Sequence, residues 1–192
     1  MPGNAPPVDA EKGQLLAFLD QQRLVLRLTA YGLTDDQARA TPSASELSVG
    51  GLIKHVANVE RSWMDTVLVR ERPSEGGEAD YDRGFHPGPD ETLESIVADY
   101  QQAAAETDEI VGSLDLGRPV PVPRGVPWFP DDIDAWTVRW VVLHLITETA
   151  RHTGHADIVR ETLDGATAFP LMAAAEGWPA TPWMQPWSPP SP

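Results

Sequence analysis

The run from His144 to His155 holds three of the chain's five histidines, together with Glu148 and Arg151. At about 100° of rotation per helical residue, His144, Glu148, Arg151, His152 and His155 fall within an arc of roughly 100°. A polar stripe therefore interrupts a helix that should otherwise be buried. Imidazole nitrogen and carboxylate oxygen are donors for a divalent ion, and the absence of cysteine removes thiolate ligands, disulfides and a cysteine nucleophile. With a rise of about 1.5 Å per residue, His144 and His152 lie about 12 Å apart along the axis and cannot share an ion. Glu148 with His152, His144 with Glu148, and His152 with His155 are each one turn apart and could chelate. No turn supplies three ligands, so a third must come from another part of the chain. His55 sits inside a second helical pattern, whereas His86 lies in a Gly/Pro-rich loop, and His55 is the better third donor. Burying Glu148, two histidines and Arg151 is costly unless their charges are compensated. A divalent ion does this, and a hydrogen-bonded polar network is the alternative these residue types permit.

The elements that must position these groups follow from hydrophobic spacing. Residues 1–8 read as a disordered arm. Asp9 is a suitable N-cap for a first helix carrying Leu15, Leu16, Leu19, Leu24, Leu26 and Leu28 to about Tyr31, with Gly32 as its stop. A short turn capped by Thr34 ends by Pro42. Ser48 caps a second long helix whose stripe of Leu52, Val56, Val59, Trp63 and Val67 places His55 alongside the core. Residues 70–90 read as a mobile loop rich in Gly, Pro and charge. A third long helix begins after Asp90, with Glu91 and Glu94 in its first turn, and runs to about Leu114. The proline-rich linker Gly117 to Asp134 suggests an extended crossover rather than a strand in a sheet. The fourth and longest helix runs from about Val138, capped by Thr137, to about Leu163, with Gly165 as its stop. Four helices with no convincing set of strands predict an all-α, four-helix bundle over residues 9–165. Residues 166–192 form a tail with Trp178, Trp183, Trp187 and seven prolines, expected to pack on the bundle or on a dimer partner.

Composition narrows the function classes. The chain has 29 acidic against 14 basic residues and a formal net charge of −15, a field that repels phosphate backbones and anionic lipid. Nucleic acid and membrane surfaces are thus not expected partners. No apolar run approaches a spanning helix, and the first residues lack the basic and apolar regions of a signal peptide, so a cytoplasmic protein is expected.

The stretches GGLIKHVANVERSW, Gly50 to Trp63, and HLITETARHTGHADIVRETLDG, His144 to Gly165, resemble the DinB/YfiT-like superfamily of helical-bundle metalloproteins. Within it they are most similar to the actinobacterial mycothiol-transferase-like branch, and the resemblance runs from the first helix to Gly165. It implies a four-helix bundle, commonly a homodimer. It also implies one divalent metal held by a histidine of the second long helix and an i,i+4 pair on the fourth. Carried onto this sequence, those ligands are His55, Glu148 and His152. Many members have histidine at the position of Glu148, and the carboxylate here resembles the mycothiol-dependent isomerase relatives. His144, His155 and Arg151 are then candidates for contacts behind the ligands or with substrate, Arg151 for anchoring a substrate carboxylate.

Three protein ligands leave a coordination position open, as in catalytic zinc sites. The resemblance implies a Zn2+ centre, with Ni2+ or Fe2+ as alternatives. It would activate a low-molecular-weight thiol, mycothiol, for attack on an electrophilic small molecule. Two histidines and a carboxylate also form the facial triad of non-haem iron enzymes. Hydrolysis by metal-bound water, or metal binding without turnover in a stress-associated protein, would use the same residues.

Overall fold

The computed structural model describes residues 3–70 and 84–189. Most of the loop expected at 70–90 lies outside the described residues. Four long helices carry the structure: α1 (Glu11–Leu28), α3 (Val49–Leu68), α4 (Leu93–Ser113) and α5 (Val138–Asp164). Between and after them come the short helix α2 (Asp35–Arg39), strands β1 (Pro119–Pro121) and β2 (Ala135–Thr137), and helix α6 (Ala168–Ala175). The all-α bundle read from the sequence is the fold.

Capping residues set most of the boundaries. Ser48 accepts from the Gly51 N–H at the head of α3, and Thr137 from the Trp140 N–H at the head of α5. Thr34 and Gln37 form a reciprocal capping box on α2. Gly165 ends α5 in the left-handed region at φ 75°.

Three local expectations are corrected. Asp9 does not cap α1; Ala10 holds the N-cap position without a side-chain bond. Entry to α1 is set by packing instead, because Val8 lies where a Cβ on Gly13 would come within 2.7 Å of it. Helix α4 starts later than expected, since Thr92 and Ser95 satisfy each other's backbone donors. Glu91 is left outside the first turn, and its carboxylate takes Lys54 at 2.7 Å.

The linker is the third correction, because part of it pairs. β1 and β2 are antiparallel, with Val120 opposite Trp136. Val122 donates to the Asp134 carbonyl at 3.0 Å and Val138 to that of Arg118 at 3.1 Å. Even-numbered residues therefore carry the ladder, and Pro119 and Pro121 occupy positions from which no donor is required.

In the bundle, α1 packs on α5, α5 on α3 and α3 on α4, while α4 closes more thinly onto α1. The connections from α1 to α3 and from α4 to α5 therefore run between diagonal helices, and this is why both are long. Two apolar clusters fill the interior. One, around Leu19, Trp63, Val141 and Leu145, lies toward the β1–β2 end, and the other, around Leu26, Leu52, Tyr100 and Val159, toward the opposite end.

A buried ion pair joins α1 to α3. Arg23 on α1 grips Glu60 on α3 through two bonds of 2.9 and 2.6 Å and reaches Asp108 on α4 at 2.8 Å; Arg23 and Glu60 are fully buried. Burial opposes the charge on Arg23, but Glu60 and Asp108 more than compensate and hold its guanidinium protonated. A second buried arginine, Arg160 on α5, donates to the carbonyls of Thr29 and Tyr31, each at 2.8 Å.

The chain after Gly165 holds a helix that the sequence reading did not anticipate. Pro170 sits in the first turn of α6, where its missing N–H costs no hydrogen bond. Further on, Trp187 donates its backbone N–H to Pro170 at 2.9 Å and lies 4.8 Å from the Arg160 guanidinium. Among the described residues, no helix is long and apolar enough to cross a membrane.

Candidate metal centre

Helices α3 and α5 are packed neighbours in the bundle, and each presents a polar notch in an apolar face. On α3, Leu52, Ile53 and Val56 are buried around His55. On α5, Leu145, Thr149 and Ala156 are buried around Glu148 and His152. Because the apolar residues fix the rotation of both helices, the three polar groups turn toward one point.

One donor atom from each of His55, Glu148 and His152 lies within 4.8 Å of the others. Nε2 of His152 meets Oε1 of Glu148 at 3.1 Å, and Nε2 of His55 lies 3.8 Å from the same oxygen. The side chains of His55 and His152 are 8% and 11% exposed, whereas Glu148 is 27% exposed, so the group opens to solvent on the Glu148 side. A hydrogen bond from His152 first, and the pull of His55 second, hold the Glu148 carboxyl well below the usual carboxylate range. Burial pushes the His55 imidazole below its ordinary value despite the nearby carboxylate. An ionised carboxylate between two imidazoles is the donor set of a divalent ion with an open position. The group could hold such an ion.

Aromatic rings wall the group on two sides. Phe85 stacks on His55 with ring centres 3.8 Å apart and planes 16° from parallel. On the other side Trp136, Trp140 and His144 form a parallel pile, with successive centres at 4.6 and 5.3 Å. Trp63 from α3 meets the edge of that pile, 4.8 Å from His144. Phe129, carried by the linker, packs on Trp136 at 5.1 Å, so the linker does border this region. The i,i+4 spacing of residues 140, 144, 148 and 152 on α5, extended by Trp136 from β2, thus produces one continuous column, aromatic at one end and polar at the other.

The other residues of the polar stripe separate. His144 is half-buried in the aromatic pile, and burial lowers its pKa. His155 meets the His152 ring edge-on, centres 5.5 Å apart. Arg151 is exposed, and no ion pair with Glu148 forms among the described residues. His86 is exposed, and it contributes its backbone carbonyl to Lys54 rather than its ring to the group.

Phe85 was missed by sequence reasoning, as were the glycines that seat it. A Cβ on Gly51 would overlap the Phe85 carbonyl, and one on Gly50 would lie 3.0 Å from the Ala38 carbonyl. Adjacent glycines in the first turn of a helix were the available signal, since they cost helix stability and need a reason to be there.

The chain is similar in fold to the crystal structure of a conserved protein from Enterococcus faecalis. The TM-score is 0.59 at 12% identity, over 83% of this chain and all of that one. No curated protein matches the sequence at a significant level. The family model described as mycothiol-S-transferase matches residues 14–165, a span that takes in all but the first turn of the four long helices, with His55, Glu148 and His152. The chain belongs to the mycothiol-S-transferase family, within the DinB/YfiT-like helical bundles.

Proposed function

We propose that this protein is a metal-dependent transferase that joins the thiol of mycothiol to an electrophilic small molecule. The observation that carries the reading is the convergence of His55, Glu148 and His152 within 4.8 Å, in a chain of this family. These three residues would hold the ion, and zinc suits a two-nitrogen, one-oxygen set with a position left for substrate. Bound there, it supplies the Lewis acidity that favours a thiolate near neutral pH.

The chain's own residues do the rest. Glu148 brings one negative charge to a divalent site, which keeps the centre net positive and attractive to a thiolate. His144, kept toward its neutral form by burial, stands one turn from Glu148 and has a ring nitrogen available to accept the thiol proton. Trp63, buried against the His144 ring, limits water on that side. His155 supports the His152 ring, and Arg151, exposed beside His152, meets a carboxylate on an incoming substrate. A reduced thiol substrate and a chain without cysteine fit a cytoplasmic setting. Exposed Leu143 and Ile158 on α5, 45% and 59% accessible, supply a face for homodimerisation.

The test is consumption of mycothiol with 1-chloro-2,4-dinitrobenzene by zinc-loaded full-length protein. Turnover that disappears on chelation and in His152→Ala supports the proposal. Equal turnover by metal-free protein, or none with any electrophile, overturns it.

A further inference from the structure

We infer that Phe85 is a positioning residue for the metal centre, and that Arg39 and Gly51 set it in place. The inference rests on the reading of His55 as a ligand. A metal–imidazole bond lies in the plane of the ring, so a second ring stacked on its face leaves Nε2 open. What the stack removes is rotation about the Cβ–Cγ bond, which in histidine has a broad, roughly two-fold profile. At 3.8 Å and 16° from parallel, Phe85 covers one face of His55, while His152 meets the ring at 67° with centres 4.7 Å apart. The His55 ring is therefore held at the angle that points Nε2 toward Glu148.

The support beneath Phe85 is unusually well tied for a loop. Arg39 on α2 donates to the carbonyls of Pro87 at 3.0 Å and Gly88 at 2.8 Å, and also to that of Glu91. Lys54, next to His55 on α3, donates to the His86 carbonyl at 3.1 Å and to the Glu91 carboxylate at 2.7 Å. Gly51 allows the Phe85 carbonyl to lie directly on the first turn of α3, where any side chain would displace it. Two cations and a glycine thus fix a ring whose contact is with a ligand. Groups that orient a metal-binding histidine typically change affinity by about 10- to 100-fold when altered.

Cobalt(II) titration of the full chain, followed by its visible absorption, tests this. Phe85→Leu keeps an apolar cover but loses the flat face, and should weaken cobalt binding by about 10-fold or more. Phe85→Tyr keeps the face and should stay near the wild-type affinity and spectrum. Gly51→Ala should shift binding in the direction of Phe85→Leu. Val67→Ala, which disturbs the core elsewhere, should lower the melting temperature and leave cobalt affinity unchanged. Wild-type affinity in Phe85→Leu, equal losses in the leucine and tyrosine variants, or an equal loss in Val67→Ala would each overturn the inference. A wild-type chain that takes up no cobalt would instead remove the metal centre itself, and that outcome is visible before any variant is made.

Discussion

Glu148 and His152 stand one helical turn apart on α5, and Oε1 of the first lies 3.1 Å from Nε2 of the second. The contact is local, so it forms with the helix and needs no tertiary adjustment. Glu148→Gln keeps the shape and removes the charge, and His152→Ala removes a donor. Each should weaken cobalt or zinc binding by more than about 100-fold, beyond the range typical of supporting residues. Metal content by elemental analysis after dialysis checks this, and full occupancy in either variant would falsify the ligand assignment.

The metal-free protein should lose stability as the pH falls from about 7 to 5. Burial lowers the pKa of His55 and of His144 in the folded chain, so near the unfolded value of about 6.5 the unfolded state binds more protons. Stability therefore rises with pH through this window and is lost below it. Glu148, whose folded pKa is depressed, acts lower, its contribution present above about 4.5 and lost as pH falls further. His144→Phe keeps a ring on Trp140 without a titrating nitrogen and should reduce the drop in melting temperature between pH 7 and 5.

Glu60→Ala should destabilise the fold by about 3 kcal/mol, because it removes the two-bond partner of buried Arg23 and leaves only the partly exposed Asp108. The double variant Arg23→Met, Glu60→Leu should recover much of that loss, since the apolar clusters on either side accept hydrocarbon. Urea unfolding of the three proteins gives the comparison. A double variant no more stable than Glu60→Ala would mean that the pair is worth more than its burial costs.

The tail offers a sharp contrast between two tryptophans. Trp187 lies against the backbone of Gly32, where a Cβ would come within 2.6 Å of the indole, and it stacks near Arg160. Trp183 is 78% exposed. Trp187→Ala should lower stability by about 2 kcal/mol from lost apolar and cation–π contact, while Trp183→Ala should change it by less than about 0.5 kcal/mol. Thermal unfolding of the two variants decides whether the tail is anchored through position 187.

Much of the bundle was legible because its helices announce themselves locally. Ser48, Thr137 and Gly165 are start and stop signals that act through neighbouring backbone groups, and the apolar spacing of α3 and α5 gives the face each buries. Helical spacing already made His55 the better third donor and left three one-turn pairs open on α5, and the choice of Glu148 with His152 among them came from the family resemblance. Other features depend on what lies opposite. Arg23 looks like one more surface cation on α1 until Glu60 is found across the bundle. The β1–β2 pair was hidden by prolines that periodicity reads as strand breakers, although alternate placement makes them harmless. Phe85 carries no local signal, since its importance comes from a ring stacked on it from another element.

The two buried arginines have a consequence for how the helices can slide. Arg23 ties α1 to Glu60 on α3, and Arg160 ties α5 to the carbonyls that follow α1. Moving α3 along α1 by one turn, about 5.4 Å, would take the buried Glu60 carboxylate away from Arg23, and moving α5 would strip Arg160 of both carbonyls and leave it only Asp164 on its own helix. α1 therefore acts as a ruler with two marks, one setting the height of α3 and the other that of α5. His55, Glu148 and His152 stand level because of bonds made elsewhere, and the bundle keeps that alignment without an ion to enforce it.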